Sequence, residues 1–115
     1  MTTPTLLPHD TQETIATIAR VLHHAAAQTG RQAAAEGPRS VRHVLSLGLQ
    51  LAAAETALLV PSQLDPYWPA PTQDDPLELL RIAERLARNV PIEDETAGFS
   101  KIVVSITDLL REASS

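Results

Sequence analysis

The chain has 115 residues, of which 43% are hydrophobic and 20% charged, with a formal net charge of −5 and no cysteine. That length suits one domain with a core large enough to dispense with metals or disulfides, and the composition is that of a globular chain, not a disordered one. The acidic balance argues against a nucleic-acid-binding surface, and the lack of thiols rules out disulfides, thiol catalysis and zinc–thiolate sites.

Residues 1–9 hold Pro4 and Pro8 without periodicity and are expected to form a flexible arm ahead of a single helical domain, 10–115. Met1 to Pro8 has neither the basic nor the apolar segment of a secretory leader, which leaves the cytoplasm as the default location. Asp10-Thr-Gln-Glu13 reads as a capping box opening a first helix over about 11–36. Its apolar stripe is Ile15, Ile18, Ala19, Leu22, Ala25, Ala26 and Ala33, and its outer face is Glu13, Arg20, His24 and Arg31. Gly37-Pro38 ends it, with Gly30 as a point where it could break.

Ser40 is the expected N-cap of a second helix, 41–60, which stops before Pro61. Its large apolar side chains cover roughly 220° of the helix circumference, far more than the single stripe of a bundle helix. Only His43, Ser46, Gln50 and three alanines occupy the remaining face, and Glu55 falls inside the apolar arc. Val44 to Val60 is the one membrane-like run, but it is short and carries Gln50 and Glu55, so a buried helix is expected and no membrane. Residues 61–74 contain four prolines and predict a stiff, irregular crossing.

Asp75-Pro76-Leu77-Glu78 starts a third helix, 76–89, with Asp at N-cap and Pro at N1. Leu79, Leu80, Ile82, Ala83, Leu86, Ala87 and Val90 face inward, while Arg81, Arg85 and Arg88 interleave with Glu78 and Glu84 as a solvated, salt-bridged face. After an acidic loop, Glu93-Asp94-Glu95, Ser100 is the expected cap of a fourth helix, 100–113. Its seam is Phe99, Ile102, Val103, Ile106, Leu109, Leu110 and Ala113. The run 102–107 has strand propensity, which the continuing helical spacing overrides. The chain therefore reads as all-α: a four-helix, mainly antiparallel bundle with a long first helix pair and a Pro-rich crossing loop.

Functional signals are sparse. Glu55 on an apolar arc needs a donor, for which His23 or an arginine from a second subunit are candidates. Gly48, one angular step away, leaves room for a bound group. Tyr67 and Trp68, two of the three aromatics, share the crossing and are either a partner-binding anchor or a lid on the bundle's open end. His9, His23, His24 and His43 lack chelating spacing, so no metal is expected. No phosphate loop or nucleophile motif occurs, so no catalytic or cofactor-binding residue is assigned. Eight arginines against one lysine, with abundant alanine, suggest a GC-rich bacterial genome.

The expectation is a non-enzymatic helical protein-interaction or regulatory module. The apolar surplus of helix 2 favours a homodimer, and the Tyr67–Trp68 loop a further protein partner. The alternative is a small-molecule-binding helical protein or minor enzyme using Glu55 in a bundle cavity.

Overall fold

The computed structural model describes residues 9–91, 94 and 97–114. Within them lie four helices and no strand: α1 (His9–Glu36), α2 (Arg42–Ala57), α3 (Pro76–Arg88) and α4 (Ala97–Ser114). Residues 1–8 of the expected arm, and Glu93 and Glu95 of the acidic loop, lie outside the described residues. No helix among the described residues is long and apolar enough to cross a membrane.

α1 runs unbroken through Gly30 for 28 residues and begins at His9, so Asp10 sits in its first turn and is not the N-cap. Gly37 closes it with φ 101°, a conformation that suits a residue without Cβ, and its N–H donates to the Ala33 carbonyl at 3.0 Å. The turn that follows is tied by side chains. Ser40 Oγ donates to Glu36 at 2.5 Å and accepts from the Arg42 N–H at 3.2 Å, while Arg42 pairs with Glu36. These partners, Ser40 first, hold the Glu36 carboxyl below its usual value.

α2 is shorter than its apolar pattern: Leu58, its C-cap, still has helical φ and ψ and donates to the Ala54 carbonyl, and the chain leaves the helix over 59–60 before Pro61. α4 begins at Ala97, so Ser100 lies inside the helix and is not its cap; the expected strand tendency of 102–107 is overridden within it. At 18 residues α4 outlasts the 16 of α2, so the helices do not divide into a long first pair and a short second one.

α3 keeps its expected start, since Asp75 accepts from the Glu78 N–H at 3.4 Å with Pro76 at the first position. Asp75→Ala is expected to lower stability by about 1 kcal/mol, measured by urea unfolding, because one first-turn amide loses its acceptor.

The core is aliphatic apart from Phe99. Ile15, Ile18 and Leu22 of α1 meet Leu49, Ala52 and Ala53 of α2, Leu79, Leu80 and Ala83 of α3, and Ile102 and Ile106 of α4. α1 packs on α2 and α3, and α4 packs on the same two helices. Buried hydroxyls are satisfied locally: Thr29 and Thr56 donate to the carbonyls four residues back at 2.8 and 2.7 Å. Thr11 reaches across the fold to Asp94 at 2.7 Å.

The proline-rich segment is a return leg laid along α1. Gln63 meets Gln12, Arg20 Nε donates to the Asp65 carbonyl at 2.7 Å, and Asp74 takes contacts from His24 and Gln28 at 2.8 and 2.9 Å. Arg20 and His24 are therefore covered by the crossing and do not form a free outer face as expected. The reason is topological: the chain must travel from the end of α2 back to the start of α3, and α1 supplies the polar partners for that unhelical backbone.

Candidate functional site

The 220° arc of α2 is split between two environments. Leu49 is fully buried, and Leu45, Leu59 and Val60 pack against the core. The other half faces away from the fold: Val44, Leu47 and Leu51 are 64%, 65% and 62% exposed, and Val41 and Leu58 85% each.

The packed side of α2 is centred on Leu49, Ala52 and Thr56 and reaches only one edge of the face outside the arc, where His43, Gln50 and Ala54 stay exposed. Ser46 and Ala53 are buried, with Ser46 Oγ donating to the Ala26 carbonyl of α1 at 3.4 Å. Small side chains on both helices allow α1 and α2 to approach closely. Gain in packing along that seam outweighs the transfer of a few leucines from water, and the outer leucines are left uncovered.

The outward residues have a regular spacing. Val44, Leu47, Leu51, Ala54 and Leu58 follow one another at intervals of three and four, the narrow seam of a helix that pairs with another helix. Val44 to Leu58 spans about 21 Å at helical rise. Beside this seam runs α4. Glu55 and Lys101 meet at 3.9 Å, and Gly48 lies against Leu109, so Val104, 59% exposed, stands abreast of Leu51. The outer line of α4 reads Lys101, Val104, Asp108, Arg111, with Arg111 3.6 Å from Asp108. Sequence reading missed Val104, Lys101 and Asp108. The available signal was Val104 standing off the α4 seam between two charged residues at helical spacing.

The other expected site residues are dispersed. Glu55 is half-buried and faces Lys101 at 3.9 Å, so its partner within the chain is not His23. Gly48 offers no room for a ligand: a Cβ there would lie 2.7 Å from Leu109 Cδ2, so its smallness serves the α2–α4 contact. His43 Nε2 lies 3.0 Å from the Gly37 carbonyl, which separates it from Glu55 and His23. Among the described residues no group of three or more His, Asp or Glu could hold a metal ion.

Tyr67 and Trp68 are 60% and 70% exposed. Asp65 Oδ1 accepts from both their N–H groups at 2.8 and 3.2 Å, which fixes the turn. The Tyr67 ring lies 4.4 Å from that of His23, midway along α1, so the pair does not lid an end of the fold. His23 Nε2 is buried without a hydrogen-bond partner.

Burial holds the His23 imidazole below its ordinary pKa, so the fold favours the neutral ring. A depressed folded-state value means this stabilisation is full above the unfolded pKa, about 6.5, and is lost as pH falls through the folded one. The melting temperature is expected to drop on acidification below that range, and His23→Gln to flatten the drop, as followed by circular dichroism.

A cleft of about 720 Å³ opens between the α1–α2 turn and the end of α4, lined by Glu36, Arg39, Arg42, Leu45 and Glu112. Glu55 is not part of its wall. Comparison of the chain with family models, characterised proteins and solved structures gave no match in any of the three.

Proposed function

We propose that this protein is a non-enzymatic helical interaction module: a single-domain, mainly antiparallel four-helix bundle that forms a homodimer through the outer face of α2. The Tyr67–Trp68 turn is a second contact point, for a protein partner. The observation that carries this reading is the line of large apolar side chains, Val44, Leu47, Leu51 and Leu58, left in water on a helix whose opposite face is packed.

With Val41 and Val104 the exposed apolar area is on the order of 600 Å², at the top of the range for a monomer and close to one side of a standard interface. Polar neighbours such as Gln50, Lys101 and Asp108 supply the rim. A second copy is favoured over an anionic lipid surface because the chain carries a net charge of −5 and no arginine or lysine stands on the seam itself.

The ligand-site alternative draws no support from the geometry. Glu55 has its ion pair, and the space beside Gly48 is filled by Leu109. Sedimentation equilibrium at tens of micromolar tests the proposal. A dimer supports it; a monomer overturns it.

A further inference from the structure

Resting on that self-association reading, we infer that two α2 helices pair antiparallel about a two-fold axis at Leu51, so that Lys101 of each copy meets Asp108 of the other. The first argument is the symmetry of the seam. Val44 and Leu58 stand seven residues either side of Leu51, about 20° off its direction on opposite sides. An antiparallel pair sets Val44 against Leu58 of the second copy and Leu51 against its own counterpart. It also sets Leu47 against Ala54, a large side chain against a small one, which lets the two surfaces interdigitate. A parallel pair matches Leu47 with Leu47 and Ala54 with Ala54, which crowds one level and leaves a gap at another.

The second argument comes from α4, independently of α2's own sequence. The Glu55–Lys101 and Gly48–Leu109 contacts fix its height along α2 and the side on which it lies. An antiparallel two-fold brings the two α4 helices to the same flank of the seam. Val104 then approaches Val104 of the second copy, and Lys101, exposed by 72%, comes level with Asp108, exposed by 64%. A parallel two-fold sends the α4 helices to opposite flanks, and Val104 stays in water. Only the antiparallel arrangement covers every large apolar residue of this surface while setting opposite charges across the rim.

The chain has no cysteine, so single-cysteine variants report the pairing without background. Under mild oxidation Leu51→Cys and Val104→Cys are each expected to give a disulfide-linked dimer on non-reducing gels. Val44→Cys and Leu58→Cys alone are expected to remain uncrosslinked, and a mixture of the two to give the linked product. Homodimeric crosslinks at Val44 and Leu58 without the mixed product overturn the antiparallel pairing while leaving self-association standing; a chain that sediments as a monomer overturns both.

Charge reversal gives a second readout. Lys101→Asp and Asp108→Lys are each expected to dimerise several-fold more weakly, because both rim pairs become repulsive. Mixing the two variants makes both pairs attractive again and is expected to restore association. Absence of any gain on mixing overturns the Lys101–Asp108 contact.

Discussion

Leu51→Glu is expected to leave the chain monomeric at concentrations where the proposed dimer forms. Leu51 is 62% exposed in the single chain and lies at the centre of the outer face of α2, so the proposed interface would bury it twice, once from each copy. Burying a leucine is worth about 1.5–3 kcal/mol, and the substitution removes two such terms while placing two carboxylates together in a desolvated site. A loss on the order of 4 kcal/mol weakens the dimer roughly a thousandfold.

The fold itself is expected to survive. Glutamate is a good helix former, and Leu51 takes no part in the core cluster, so helicity by circular dichroism should be unchanged. A paired chain melts at a temperature that rises with its concentration, and the Leu51→Glu chain should lose that dependence. A variant that remains dimeric places the interface elsewhere and removes the basis of the proposed function.

The helix content was readable because each helix carries its own punctuation. Asp75-Pro76 opened α3 where expected, and Gly37 closed α1. The starts that shifted were those marked by a capping residue alone. Ser100 is as good a cap by type as Asp75, but Ala97 to Phe99 are not barred from helix, and burial of Phe99 carries the helix past the cap.

The orientation of α2 was not readable for a related reason. A wide apolar arc says how much of a helix wants cover and not which part the chain itself will cover. Ser46 and Ala53 look polar or neutral on a wheel, yet small residues let α1 and α2 come closest, and this decided which half of the arc was left outside. Gly48 was read as room for a ligand because a sequence has no record of Leu109 reaching across from α4. The partner of Glu55 was missed likewise: Lys101 lies 46 positions away, and nothing in the local pattern of either helix links them. The site candidates failed to assemble because each had been placed by its own helix alone, and convergence is a property of packing.

Phe99→Ala is the substitution expected to cost the fold most. Phe99 is the only phenylalanine in the chain, 2% exposed, and belongs to the buried cluster that joins all four helices. Truncating a buried phenylalanine costs about 3–5 kcal/mol, from lost transfer energy and from the cavity that remains. Against a total of about 5–15 kcal/mol for a domain, that is a third or more of the stability. At this chain length each kcal/mol moves the melting temperature by about 4 °C, so a fall of about 12–20 °C is expected at matched protein concentration. Trp68→Ala is the internal control. It removes a larger ring from a site 70% exposed in the proline-rich crossing, and its effect on stability should stay within about 0.5 kcal/mol. The contrast follows from where the two rings stand: one reaches from α4 into the buried cluster, and the other is held out in solvent by the Asp65 turn. Equal losses for the two variants would mean that the crossing is packed as tightly as the core, and would remove Trp68 from the set of residues free to meet a partner.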